Sequence, residues 1–199
     1  MGDDRWNLNI ASHRRILDVV PGGARTAIDL GCGEGLLAFD LADSGLDVVG
    51  LDRHVLSVER ARSDLRAGDR TSFVVCDMLD HPFRPASFDV VTSIAALHHV
   101  DTERALGRVR ELVRPGGVVA FVTFARASSP GDVARAVRGS AVSRVRRAQG
   151  RWWDHASPLV WPPALRSRDL ARLVERELPG ASFRPGLGAR FEVTWTAPR

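Results

Sequence analysis

Apolar and polar positions alternate along this chain between two periods. "TAIDL" (26–30), "DVVGLD" (47–52), "TSFVVCD" (71–77), "SFDVVTSI" (87–94) and "VVAFVTF" (118–124) are short, nearly continuous apolar runs and read as strands. The stretches between them have helical spacing. "EGLLAFDLADSG" places Leu37 and Leu41 one turn apart and stops at Gly45. "RHVLSVERARSDLRAGD" sets Val55, Val58, Ala61 and Leu65 on one predicted face. "DTERALGRVRELVRPGG" starts at Asp101, which can cap a first turn, and Pro115-Gly116-Gly117 is expected to end it. Upstream, "NLNIASHRRILDVVPGG" spaces Ile10, His13, Leu17 and Val20 as a helix that Pro21 stops.

The pattern is β-α-β-α-β-β-α-β. Strands that are apolar throughout are buried on both faces, so a parallel sheet with helices on each side is expected. Right-handed crossovers leave few topologies for it. The C-terminal part changes rhythm. "SRDLARLVERELPG" is a predicted helix with Ser167 as N-cap and a stripe through Leu170, Leu173, Val174 and Leu178. "ASFRP" and "ARFEVTWT" flank a Gly-rich turn, and Phe191, Val193 and Trp195 alternate with polar residues. That alternation predicts a strand buried on one face, as at a sheet edge, in an antiparallel hairpin. Residues 126–165 fit neither rhythm. A helix from Pro130 to Gln149 is predicted there, followed by "RWWDHASPLVWPP".

The composition narrows the class. The 199 residues suit one α/β domain, and 44% hydrophobic with 26% charged is an ordinary globular balance. No apolar run approaches the ~18 residues of a membrane span, and "MGDDRWNLNI" has no signal-peptide layout, so a cytoplasmic protein with no membrane partner is expected. The cationic side chains are all Arg, and there is no Tyr. A net charge of +4 permits nucleic-acid binding without demanding it. Two cysteines, Cys32 and Cys76, make neither a disulfide framework nor a zinc site. No metal is expected, since the adjacent rings of His98 and His99 do not readily converge with Asp101 on one ion.

"AIDLGCGEGLLAFDLA" carries Gly31, Gly33 and Gly35 where the first strand meets a helix. That place is the C-terminal edge of a parallel sheet, where ligands bind, and a glycine loop lets backbone amides touch one. A phosphate cradle of the GxxxxGK[ST] kind needs a Lys and a hydroxyl, and "GCGEGLLA" has neither. A dinucleotide fingerprint is met by Gly31, Gly33 and the acid Asp52, but its third glycine position holds Leu36. Asp29 and Glu34 would repel a pyrophosphate. They would not repel a ligand bearing an ammonium and a sulfonium.

"AIDLGCGEG" resembles the first motif of class I S-adenosylmethionine-dependent methyltransferases. "VVGLDRH", "VVCDMLDHPF", "FDVVTSIAALHHV" and "LVRPGGVVAFVTF" are similar to that family's next four motifs, in order, over residues 26–124. The resemblance implies an α/β, doubly wound, Rossmann-like, mostly parallel seven-stranded sheet with a C-terminal antiparallel hairpin. It implies one methyltransferase domain over 1–199. Within it, residues 1–23 would form an N-terminal helix covering the cofactor site and 24–125 the cofactor-binding core. Residues 126–165 would be an insertion or lid that contacts the acceptor, and 166–199 the terminal helix and edge hairpin. The family's strand order would hold Cys32 and Cys76 ~10 Å apart, too far for a disulfide.

The cofactor implied is S-adenosyl-L-methionine. By the resemblance Asp52 takes the ribose hydroxyls, Asp77 and Met78 flank the adenine, and Ser93 and Ile94 border the methionine moiety. Asp29 would meet loop amides or the methionine ammonium. With Gly31, Cys32, Gly33, Gly35 and Arg53 these make the expected cofactor-binding set. His98 and His99 follow the fourth strand and are candidate proton acceptors. His13, Trp152 and Trp153 are candidate substrate contacts. Trp6 and Trp161 could share that role, although packing of the irregular segments explains such aromatics equally simply.

The expected activity is methyl transfer to an O, N or C atom of a small-molecule acceptor. Enzymes of this fold that methylate nucleic-acid amines show Asn/Asp-Pro-Pro-aromatic after strand four, where this chain has "SIAALHH". A nucleic-acid (rRNA or tRNA) methyltransferase using Arg135, Arg138, Arg144, Arg146, Arg147 and Arg151 is the first alternative, against a solvated helix face. A catalytically silent methyltransferase-like binding protein is the second. A nicotinamide dehydrogenase is third, disfavoured by Leu36.

Overall fold

The structure is a computed structural model that describes residues 5–154 and 160–199. Its centre is a sheet of seven strands: β1 (Thr26–Leu30), β2 (Asp47–Asp52), β3 (Thr71–Val75), β4 (Phe88–Ile94), β5 (Val113–Phe124), β6 (Ser182–Pro185) and β7 (Arg190–Thr196). Their order is β3-β2-β1-β4-β5-β7-β6. The first five are mutually parallel, and β7 runs antiparallel to both β5 and β6. This is the Rossmann-like sheet that the motif order implies.

Period-two alternation divides the sheet between two apolar layers. Ile28, Val91, Val119 and Phe121 face one layer, closed by Leu106, Val109, Leu170 and Val174. Their strand neighbours Ala27, Val90, Ala120 and Val122 face the other, closed by Leu37, Leu41 and Val58. The helices responsible are α2 (Leu36–Asp43) and α3 (Val55–Ser63) on one side, with α4 (Thr102–Leu112) and α6 (Ser167–Glu177) on the other. α1 (His13–Leu17) and α5 (Pro130–Ala148) complete the set. No described helix is long and apolar enough to cross a membrane.

Local contacts fix these elements, and the Asp101 cap and the helix beginning at Pro130 are as expected. Asp101 caps α4 by accepting from the Arg104 amide at 3.0 Å. Ser129 and Asp132 form a reciprocal capping box at the start of α5, whose bounds match the predicted helix. Asp89 ties the starts of β1 and β4 together. It accepts from the amides of Arg25 and Thr26, each at 2.9 Å, and pairs with Arg114 at 2.9 Å.

Other expectations are corrected. The first helix is only a 3-10 turn at Ile10–Ser12 running into α1; it buries His13 and Ile16, while Ile10, Leu17 and Val20 of the predicted stripe are half-buried against the core. Pro21 disfavours helical backbone at the residue before it, so the helix ends early. α3 ends at Ser63, because Asp64 turns extended and accepts from the Arg66 amide. Leu65 is therefore exposed; within the helix Val58 and Ala61 are buried, and Val55, at its first position, is exposed. α4 ends at Leu112 and passes straight into β5, ahead of the Pro-Gly-Gly. Ser167 is not a side-chain cap: Arg166 holds that position, and the Ser167 hydroxyl donates to Asp132 at 2.6 Å, joining α6 to α5. The alternating strand β7 is not the edge. It lies between β5 and β6, and the short β6, with Pro185 at its end, takes the edge.

Candidate active site

The loop after β1 turns through three glycines with positive φ, at +74° (Gly31), +55° (Gly33) and +80° (Gly35). The amides of Gly31 and Cys32 both donate to the Leu51 carbonyl, at 2.8 and 2.9 Å, which anchors the loop to β2. A Cβ at Gly31 would overlap that of Ala96, so the loop can approach the end of β4 only as glycine. Ala95 at that end carries φ +56°, a strained value for a residue with a side chain. Gly35 serves packing: a Cβ there would lie 2.8 Å from the Phe73 ring.

Above this edge lies a cavity of about 620 Å³. Asp29, Gly31, Cys32, Gly33, Asp52, Arg53, Asp77, Met78 and Ile94 line it, as do His13, His99, Trp152 and Trp153. Three predicted site residues are not on its wall. Gly35 faces Phe73 in the core. Ser93 is fully buried and donates to the Leu30 carbonyl at 2.7 Å. His98 packs between His99 and Phe124, and neither of its ring nitrogens finds a partner among the described residues. Burial, reinforced by His99 and Arg190, pushes its pKa down to about 3, so the ring is neutral at physiological pH.

The acidic groups are distinct in their surroundings. Asp52 ends β2, and its two oxygens accept from the amides of Gly33 (2.9 Å) and His54 (2.8 Å). Each oxygen keeps a further lone pair. Asp77 accepts from the Leu79 amide at 2.9 Å, a local turn that fixes its carboxylate. Asp29 is 2% exposed and accepts from the Thr92 hydroxyl at 2.9 Å. Burial raises its pKa to about 6, against the opposing pull of Thr92 and His13 and with Asp52 adding to the rise. Glu34 differs from expectation: it pairs with Arg60 of α3 at 3.0 Å, so its charge is answered from outside the site. Cys32 is a buried thiol whose pKa is raised by burial and then by Asp29 and Asp52, which leaves it unreactive. Both cysteines are free.

The cavity has a roof. The Trp153 amide donates to the Trp6 carbonyl at 2.8 Å, Trp6 meets Trp152 edge-on at 6.0 Å, and Arg146 lies 4.4 Å over the Trp6 ring. Asn7 caps the first turn through its side-chain oxygen and donates to the Trp153 carbonyl at 3.3 Å. The N-terminal segment and the chain beyond α5 therefore close over the site together. His13 reaches from below this roof, its Nδ1 2.6 Å from Asp40, which Arg66 also holds at 2.7 Å. The wall also includes Phe124, at the end of the fifth-strand motif, and Asn9 and Arg190, which carry no sequence motif and reach it through loop packing and strand register. Residues 155–159, part of the predicted acceptor-contacting stretch, lie outside the described residues.

Residues 28–121 match the methyltransferase domain family. An uncharacterised methyltransferase of Mycobacterium tuberculosis is 36% identical over 197 residues, covering 98% of this chain and 99% of that protein. The chain belongs to the class I S-adenosylmethionine-dependent methyltransferases. A ubiquinone biosynthesis O-methyltransferase of Aliivibrio fischeri is 37% identical over 106 residues, 51% of this chain and 45% of that one. Among solved structures, a phosphoethanolamine N-methyltransferase of Haemonchus contortus, bound to phosphomonomethylethanolamine and S-adenosylhomocysteine, superposes with a TM-score of 0.70 at 17% identity. That match covers 98% of this chain and 53% of the other, and it shows the shared fold.

The methyltransferase's residues fit its cofactor, S-adenosyl-L-methionine. Asp29 is a buried carboxylate on the cavity wall with no cation bonded to it among the described residues, which suits a ligand ammonium. Asp52 offers two anchored acceptor oxygens, the pattern a vicinal diol needs. Met78 lies beside Gly31, a soft apolar surface for a planar ring.

Proposed function

We propose that this methyltransferase modifies an O, N or C atom of a small molecule. The observation that supports this most is the roof. Trp152 and Trp153 line the cavity with Trp6 packed against them, and the two arginines stacked on these rings are engaged within the protein. Arg147 pairs with Asp154 and lies 4.7 Å over Trp152, and Arg146 lies over Trp6. A nucleic-acid enzyme would keep such charges free for phosphates.

In this reading Asp29 holds the methionine ammonium, Asp52 the ribose, and Asp77 with Met78 the adenine. Gly31 and Gly33 allow the backbone to come close, and Cys32, Arg53 and Ile94 complete that wall. Gly35 and Ser93 contribute from behind the wall, shaping the loop and the end of β4. The bound cofactor supplies a methyl group already activated by its sulfonium. The protein's share is then to orient the acceptor and exclude water, and orientation alone can contribute ~7–11 kcal/mol. His13, Trp152 and Trp153 shape the acceptor's space. His99 is the candidate to receive an acceptor proton, and the neutral, enclosed His98 positions it through their edge-on contact at 4.2 Å.

Titration of the protein with tRNA and ribosomal RNA at rising salt tests the reading. No binding at physiological salt is expected. Tight binding that weakens steeply with salt would contradict it and favour the nucleic-acid alternative.

A further inference from the structure

Arg190 opens β7 directly across from Phe124, at the end of β5. Along the sheet it stands three strands from β1, roughly 14 Å from the glycine-loop side. Its guanidinium lies 4.7 Å over the Phe124 ring and donates through Nε and Nη2 to the Asn9 side-chain oxygen, at 3.0 and 2.9 Å. Asn9 is neutral. Among the described residues no carboxylate comes within ion-pair distance of Arg190, whereas Arg66, Arg114, Arg135 and Arg147 each have one. Desolvation alone lowers the Arg190 pKa to about 10. A guanidinium has five N–H donors, and the two bonds to Asn9 leave the others available.

Charges of both signs line the cavity. Asp29, Asp52 and Asp77 lie at the β1–β3 side together with Arg53, Arg147 is paired with Asp154, and Arg190 lies at the β5–β7 side with no carboxylate partner among the described residues. Burying a guanidinium without a counter-charge is costly, and the packing on Phe124 and the amide of Asn9 orient it without neutralising it. His98, which packs on the same Phe124 ring, is neutral. Trp161 meets Phe124 edge-on at 6.3 Å and lines the same space, so an apolar surface adjoins the cation.

We propose that Arg190 is the counter-ion of an acidic acceptor: the molecule methylated carries a carboxylate or a phosphate seated on this guanidinium, with its apolar body against Phe124 and Trp161. The proposal rests on the small-molecule reading above. Planar carboxylate and tetrahedral phosphate share the chemistry that a guanidinium recognises through paired N–H bonds.

Calorimetry on the protein saturated with S-adenosylhomocysteine tests this with three probes that share a phenyl ring: benzoate, phenyl phosphate and the neutral benzamide. Benzoate or phenyl phosphate is expected to bind at least about tenfold more tightly than benzamide, and the tighter of the two names the anion. Arg190→Gln is expected to abolish that preference while keeping S-adenosylhomocysteine affinity within about twofold. Should that variant lose the fold, Asn9→Asp serves instead, because it gives Arg190 an internal carboxylate. It too is expected to remove the anion preference. Benzamide binding as tightly as the anions, or an anion preference that survives both substitutions, overturns the proposal while leaving the small-molecule reading intact. No binding of any probe, together with salt-sensitive RNA binding, overturns both.

Discussion

The carboxylate of Asp52 accepts a hydrogen bond from the Gly33 amide at 2.9 Å, so the acid at the end of β2 and the glycine loop after β1 form one rigid unit. One side chain thereby shapes the loop and presents oxygens to the cavity. Asp52→Ala removes both contributions. S-adenosylmethionine affinity is expected to fall about 10- to 100-fold, since hydrogen bonds to charged groups contribute ~1.5–3 kcal/mol. Calorimetry measures it, and unchanged affinity would remove Asp52 from the site.

Asp29 predicts a pH dependence. Burial raises its pKa to about 6 from an ordinary 3.8. Between those values the folded chain binds more protons than the unfolded one, so this residue's contribution lowers stability as pH rises from about 4 to 6. Binding of an ammonium requires the ionised form. S-adenosylmethionine affinity should therefore rise between pH 5 and pH 7, and Asp29→Asn should flatten the profile. Binding isotherms at stepped pH on both proteins check this.

Much of this architecture is legible in the sequence, because strands buried on both faces leave continuous apolar runs and the intervening glycines and prolines mark their ends. Helix limits were less so. Val55 and Leu65 have helical spacing with Val58 and Ala61, and spacing alone does not reveal that Asp64 turns the chain. The acids of the site stand at strand ends, where local order locates them. Arg190 was not legible: its place beside Phe124 depends on an antiparallel register between strands separated by 65 residues or more in sequence. The pairing of Glu34 with Arg60 is not legible either, because Arg60 lies on α3, beyond β2 in the chain.

Gly31→Ala should be severe. Positive φ at a residue with a side chain costs ~1–3 kcal/mol, and the added methyl overlaps Ala96. Thermal unfolding should show a lower Tm and calorimetry a loss of cofactor binding. Adding Ala96→Gly relieves the overlap but not the backbone strain, so partial recovery is expected. Full stability in the single variant would mean the loop does not approach β4 this closely.

Asp89 fastens β1 to β4. Burial works against its ionisation, but the amides of Arg25 and Thr26, with Arg114 and the Thr26 hydroxyl, outweigh it and hold the pKa down to about 2. A lowered folded pKa means stability that is present above about pH 4 and lost as pH falls toward 2. Asp89→Asn should cost about 1–2 kcal/mol at pH 7 and little near pH 2. Denaturant melts across that range check it.

Labelled methyl transfer decides the central claim. The protein is incubated with methyl-labelled S-adenosylmethionine and a cell extract separated into small-molecule, nucleic-acid and protein fractions. Label accumulating in the small-molecule fraction, and lost with Asp52→Ala, is the expected result. Label confined to nucleic acid or protein would contradict a small-molecule acceptor.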